Sequence, residues 1–254
     1  MDDSGWSALP TSLFVLSLPR SLSTVVYHAA CLSLDLSQPA WTTDGELLNS
    51  DRFARPPGDV GEPGSKFTLR ERAPEFFDDL GRFLDRTVAP QGYGYKDVVH
   101  PFVCSAWLAD GRFPTIKLRR DPAEVAMSML ARSWHYPATL ASPGRDLDAA
   151  IIEGLLRAWR AIDAVPGVTL DYDAVIADED ALLAALAELY PAVSLRRVRF
   201  IDSAFGAYRD RQLARRETDD YLRLSAIVDG FVDTPGDVLE RDPDVAPDSK
   251  PAIA

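Results

Sequence analysis

Histidine and cysteine are scarce in this chain. Its three histidines, His28, His100 and His135, are scattered, and Cys31 and Cys104 are its only cysteines. Neither H-E-x-x-H nor C-x-x-C occurs, which removes the common spacings for zinc or a dithiol centre, so no metal is expected. Both cysteines lie in apolar segments, and the expectation is two buried free thiols in a reducing compartment. Basic charge is also short. Twenty-seven Lys and Arg against 39 Asp and Glu leave a formal net charge of -12, which argues against a broad nucleic-acid or anionic-membrane surface. No apolar run is long enough to span a bilayer, and Met1 to Thr11 is too polar for a signal peptide, so a cytoplasmic protein is expected. Glycine is missing from the place where it would say most: there is no G-x-x-x-x-G-K-[ST].

What remains is a soluble, enzyme-sized composition with 46% hydrophobic and 26% charged residues over 254 positions, enough to bury one good core. Three basic clusters oppose the global sign, at Lys117 to Arg120, Arg196 to Arg199 and Arg209 to Arg216. The apolar run Leu13 to Leu18 reads as a buried strand and Ser23 to Leu34 as a helix. Residues 37–65 are irregular and rich in Pro, Gly and Asp, the composition of a functional loop. Pro74 to Val88 has a helical stripe, Phe76, Phe77, Leu80, Phe83 and Leu84. A strand at Tyr93 to Val99 precedes a helix at Pro101 to Ala109. A third strand, "PTIKLRR", precedes a helix over Asp121 to Trp134, with Asp121 as N-cap, Pro122 in the first turn and Glu124 in a capping-box position. Leu147 to Val165 is an amphipathic helix and Gly167 to Tyr172 a fourth strand. Asp178 to Leu189, Leu195 to Phe205 and Asp219 to Asp229 read as helices. The Pro- and acid-rich stretch 233–254 reads as a flexible tail beyond one α/β domain, 1–232.

Alternating strands and helices predict a three-layer sandwich: a central parallel β-sheet of about four to five strands with helices on both faces. Ligands of such sheets sit beyond the C-terminal ends of the strands. The loops that converge there carry Pro19 to Thr24, Lys96 to His100, and Arg119 to Asp121. In "LPRSLSTVV" a strand runs into a helix start, where unpaired amides and the dipole attract anions. Arg20 adds fixed charge, and Ser21, Ser23 and Thr24 add short hydroxyls. By itself this is equally ordinary helix-start chemistry. His28, inside an apolar helix, reads as a satisfied core residue, and His135 as a helix-end histidine.

Pro19-Arg20-Ser21-Leu22-Ser23-Thr24 resembles the phosphosulfate-binding loop of the sulfotransferases that use 3′-phosphoadenosine 5′-phosphosulfate (PAPS), with Leu22 where that family usually has glycine. "LRRDPAEVAMS" is similar to the family's second motif, and Asp171-Tyr172-Asp173 to a third, weaker one. The likeness covers about Leu13 to Leu189. It implies a fold of the P-loop nucleoside-triphosphate-hydrolase type. It also implies PAPS as donor and its bisphosphate PAP as product, with Pro19 to Thr24 at the 5′ end and Arg120 and Ser128 on the 3′-phosphate. A small-molecule hydroxyl or amine acceptor would need a general base. Glu46 is similar to the Gly-Glu segment of tyrosylprotein and bacterial carbohydrate enzymes, and His100 lies near the cytosolic family's histidine. Asp97 ranks third, as an orienting partner. Arg20 and Lys96 would meet charge on the leaving phosphate and sulfonate. From the C-terminal quarter, Arg209, Arg211, Arg215 and Arg216 are candidates for the nucleotide. Trp41, Phe53, Phe67, Trp107, Trp134 and Tyr136 are candidates for an acceptor pocket. Two other readings stand beside this one: a P-loop kinase or hydrolase, and a non-catalytic nucleotide-binding scaffold.

Overall fold

The computed structural model describes residues 12–47, 66–88, 92–201 and 203–232. Strands and helices alternate as β1 (Leu13–Ser17), α1 (Ser23–Leu34), α2 (Pro74–Thr87), β2 (Gly94–Asp97), α3 (Pro101–Leu108), β3 (Thr115–Arg119), α4 (Pro122–Leu130), α5 (Leu147–Asp163) and β4 (Val168–Asp171). Four helices follow: α6 (Tyr172–Ala177), α7 (Asp180–Leu189), α8 (Ser203–Arg215) and α9 (Asp219–Val232). The four strands form one parallel sheet in the order β2-β1-β3-β4.

The continuous apolarity of β1 has a simple cause: successive side chains point to opposite faces, and both faces are covered. Leu13 and Val15 join Ile116, Leu118 and Leu170 beneath α1 and α7. Phe14 and Leu16 join Tyr95 and the inward sides of α3, α4 and α5, such as Val103, Val125, Ile151 and Leu155. All five β1 side chains are fully buried, the four apolar ones worth about 2 kcal/mol each of transfer free energy. The result is helix, sheet, helix in three layers. Because β1 lies between β2 and β3, the chain leaves it for one side and returns on the other, which opens a crevice at the strands' C-terminal ends.

Several elements differ from the sequence expectation. The chain at 195–201 is not helical, and α8 begins only at Ser203. Its amides are spent elsewhere: Arg196 N donates to Ser33 O at 2.9 Å, and Phe200 N and Ile201 N donate to Glu179 Oε2 at 3.1 and 3.3 Å. Bonds across to α1 and the start of α7 replace the i→i−4 ladder. α4 stops at Leu130 rather than Trp134, because Ser133 takes φ 55° while Trp134 N donates to Met129 O and Ser133 N to Leu130 O, a Schellman closure. His135 therefore sits at the N-terminal edge of a 3-10 turn, Tyr136–Leu140, and not at a helix C-terminus. His28 is not a core residue. Its side chain is about a third exposed, and its two ring nitrogens meet Asp44 Oδ1 at 3.1 Å and Gln38 Nε2 at 2.7 Å. Cys31 and Cys104 are buried and free. No helix among the described residues is long and apolar enough to cross a membrane. The expected tail 233–254 and Phe53 lie outside the described residues.

Candidate functional site

A cleft of about 390 Å³ opens where the crevice was anticipated, lined by the loops after β1, β2 and β3 and by one face of α8. Every position from Pro19 to Thr24 lines it, with Arg120 and Ser128. The β1 loop carries two left-handed residues in quick succession, Arg20 at φ 64° and Leu22 at φ 64°, ψ 17°. Leu22 thus holds the backbone shape that glycine usually takes, at a cost of roughly 1–2 kcal/mol. Such an alternation turns successive amides toward one concavity, an anion-binding nest. Leu22 is also the N-cap of α1 and supplies no capping side chain, so the helix's positive end is directed at the cleft without internal satisfaction.

The loop is pinned from behind by β3. Arg120 is buried and its Nη1 donates to the carbonyl of Arg20. Its Nε donates to Glu124 Oε2 at 2.8 Å, its Nη2 to Gln212 Oε1 at 2.9 Å, and its plane lies 4.2 Å from the centroid of Tyr172. One hydrogen on each terminal nitrogen is left over. Glu124 does not close a capping box. It is buried, and its other oxygen accepts from Arg216 Nε at 2.6 Å, because a buried carboxylate gains more from two guanidinium groups than from a helix-start amide. Asp121 alone caps α4, accepting from Ala123 N at 2.8 Å. Arg20 reaches across the cleft mouth to donate from Nε to Ser128 Oγ at 3.1 Å and lies over Trp134. Burial first, then the charges of Arg132 and Arg120, lower its pKa from the usual guanidinium value.

The opposite wall is built on β2. Residues Gly45 to Leu47 pair with Lys96 as a short added strand, Lys96 N donating to Gly45 O and Leu47 N to Lys96 O. This sets Glu46 beside Lys96: Nζ donates to Oε2 at 3.1 Å, with the lysine almost fully buried. Glu46 Oε1 is buried with no hydrogen-bond partner among the described residues. Lys66 joins them on the cleft wall, half-buried, its ammonium 5.5 Å from the centroid of Tyr136. Burial lowers its pKa, against the opposing charges of Glu46 and Asp97.

Asp97 and His100 are placed differently from the other candidates. Asp97 is fully buried and its Oδ1 accepts from the amides of Val99 and His100 at 3.0 and 2.8 Å, which shapes the turn into α3. Burial pushes its pKa up to about 7, with the charge of Glu46 adding and the two amides and Lys96 opposing. His100 is buried at the foot of α3 against the ring of Phe76, at 5.6 Å. Neither is among the residues that line the cleft, whereas Glu46 and Lys96 are.

α8 brings Tyr208, Gln212 and Arg215. Of the four candidates Arg209, Arg211, Arg215 and Arg216, Arg215 lines the cleft and the other three do not: Arg209 meets Asp210, and Arg216 meets Glu124 and Asp173. Tyr208 and Gln212 escape a search for charge, but 208, 212 and 215 have i, i+4, i+7 spacing, the mark of one helix face. Of the aromatic candidates, Trp134 and Tyr136 line the cleft. Phe67 and Trp107 are core, and Trp41 is an exposed partner of Phe83. Compared with known proteins, the chain matches no family model and no curated relative. The chemistry of the cleft must therefore be read from its own groups. Five of its liners are cationic, Arg20, Lys66, Lys96, Arg120 and Arg215, and one, Glu46, is anionic. Lys96 and Arg120 have carboxylate partners. Arg20, Lys66 and Arg215 have none among the described residues. In a chain of net charge -12, this is a cavity suited to a multiply anionic ligand, with one carboxylate on its wall.

Proposed function

We propose that the protein is a sulfotransferase that moves a sulfonate group from PAPS to a hydroxyl or amine of a small acceptor, on a P-loop-like fold. The observation that carries this reading is the pair of anion-seeking corners on one cleft: the left-handed Arg20–Leu22 nest at the start of α1, and the Arg120–Ser128–Gln212 corner with Arg215. The donor's two separated phosphates match two such corners. The α1 amides and Arg20 would hold the 5′ end, and Arg120 through its spare hydrogens, Ser128, Gln212 and Arg215 the 3′-phosphate.

When bound, the donor supplies an activated sulfonate with the nucleotide 5′-phosphate as leaving group. Glu46 takes the acceptor's proton as the acceptor oxygen bonds to sulfur and the sulfur–oxygen bond to the phosphate breaks, the electron pair leaving with the phosphate. Arg20 and the α1 amides stabilise the charge that gathers there, in the way phosphoryl-transfer sites do. Lys96 holds one oxygen of Glu46 in place, and the other oxygen, short of a donor, accepts from the acceptor's O–H before it takes the proton. Glu46 is preferred to His100 as base because it lines the cleft and His100 does not.

The test compares thermal shifts with PAP, ATP plus Mg²⁺, and GTP, since a ligand of the folded state raises its stability. PAP should win, and Arg120→Ala should abolish the shift. Glu46→Gln should keep the shift and lose turnover. A preference for ATP with Mg²⁺ would point to a kinase and reject the assignment. A PAP shift with no sulfonation across a broad hydroxyl panel would favour a non-catalytic binder.

A further inference from the structure

Lys66 is not explained by the reading above, although its surroundings are unusual for a lysine. It enters the cleft at the start of the described segment 66–88, immediately before Phe67. Phe67 is fully buried, rests 5.2 Å from the ring of Tyr136, and donates its amide to Val99 O at 3.1 Å. It does so at φ 61°, a conformation that a bulky side chain adopts only when its surroundings impose it. Glu46 follows a similar device, with Asp44 at φ 52° and Gly45 at φ 71°. At Gly45 a Cβ would lie 2.0 Å from the Tyr27 ring. Two strained turns thus deliver one acid and one ammonium group to the same wall.

The charges on this wall do not balance. Lys96 is neutralised by Glu46 at 3.1 Å. Asp97 is near enough to act on Lys66, but it is fully buried, does not line the cleft, and spends Oδ1 on the amides of Val99 and His100. Among the described residues Lys66 makes no ion pair: the charges of Glu46 and Asp97 act on it without direct contact, burial disfavours its charged form, and its ammonium lies 5.5 Å from the centroid of Tyr136. A half-buried ammonium with a pre-set backbone and no carboxylate in ion-pair contact among the described residues is an electrostatic demand for an external anion. The phosphate corners are served by Arg20, Arg120 and Arg215, and Lys66 stands with Glu46 instead.

We propose that Lys66 is a specificity-determining residue: it binds an anionic group, such as a carboxylate, carried by the acceptor beside the hydroxyl presented to Glu46. The acceptor class is then hydroxy acids and similarly anionic hydroxyl compounds rather than neutral alcohols or phenols. This rests on the assignment of Glu46's wall to the acceptor.

The test is direct binding by calorimetry to the full chain, with and without saturating PAP. The probes are aliphatic and aromatic hydroxy acids, each paired with its methyl ester. Carboxylates should bind at least about tenfold more tightly than their esters. Lys66→Met, which keeps the stem over Tyr136, should erase that preference and leave the PAP thermal shift unchanged. Equal binding of acid and ester across the panel, or a preference that survives Lys66→Met, overturns the proposal. Loss of the PAP shift in Lys66→Met also overturns it, by moving the lysine to the donor. A wild-type chain that shows the Lys66-dependent preference but no PAP shift retains the anion site and rejects the sulfotransferase reading, so the two failures are separable.

Discussion

Leu22 shows how a single position can break a local rule for the sake of a site. The left-handed region is disfavoured for leucine, yet Leu22 occupies it at the N-cap of α1, where the amides of an anion nest must turn inward. Leu22→Gly should preserve donor affinity and raise stability by roughly 0.5–1 kcal/mol, the relieved strain less the added chain entropy; urea denaturation reads the change. Asp97 sets a second expectation. Its folded pKa of about 7 stands above the ordinary 3.8, so between these values the folded chain keeps a proton that the unfolded chain releases. Its contribution to stability is therefore fully present below the ordinary value and lost as pH rises through the folded one. Asp97→Asn keeps an oxygen for the amides of Val99 and His100 and cannot ionise. It should gain on the wild type by up to about 4 kcal/mol between pH 4 and 8, visible as a flatter dependence of Tm on pH. Parallel Tm profiles would reject burial of that carboxylate. Asp97, Lys96 and Glu46 were all legible as candidates in the sequence. Their division into cleft liners and turn-builder was not, because adjacent strand positions face opposite ways and only the packing says which way is wet.

At the scale of elements, strands and helices with one continuous signal were readable to within a residue or two: β1, α1, α2, α3, β3 and α5. The misreadings fall where hydrogen bonds outside the i→i−4 ladder, tertiary in one case and local in the other, override helical composition. Residues 195–201 look helical, but their amides serve Ser33 and Glu179. α4 has helical composition to Trp134, but the Schellman turn at Ser133 ends it early and swings Trp134 and Tyr136 to the cleft. The 3-10 turn that carries Tyr136 is seated on α5 by Gly154, where a Cβ would lie 2.0 Å from the carbonyl oxygen of Pro137. Gly154→Ala must push backbone against backbone. It should cost about 1–3 kcal/mol in denaturant melts and weaken binding at the cleft through displacement of Tyr136. An unchanged melt would mean that the turn and α5 are not so closely seated.

Taken as a whole molecule, the protein sets a positive cleft in an acidic body. Local cations must act against a net charge of -12, and the ones facing the mouth are partly exposed. The PAP binding proposed above should therefore weaken by roughly an order of magnitude between low and high salt as these interactions are screened; a salt-independent constant would contradict the charge reading. The sequence by itself determined the alternation of strands and helices, the burial of both sheet faces and the two motif-bearing loops, because apolar periodicity and helix-start chemistry are local properties. Tertiary structure alone decided the β2-β1-β3-β4 order that makes these loops meet. It also decided the pairing of Glu46 with Lys96, the recruitment of Tyr208, Gln212 and Arg215 from α8, and the placement of Lys66 by the ring of Tyr136. Those features depend on which distant side chains share a cavity, and no spacing along the chain encodes that.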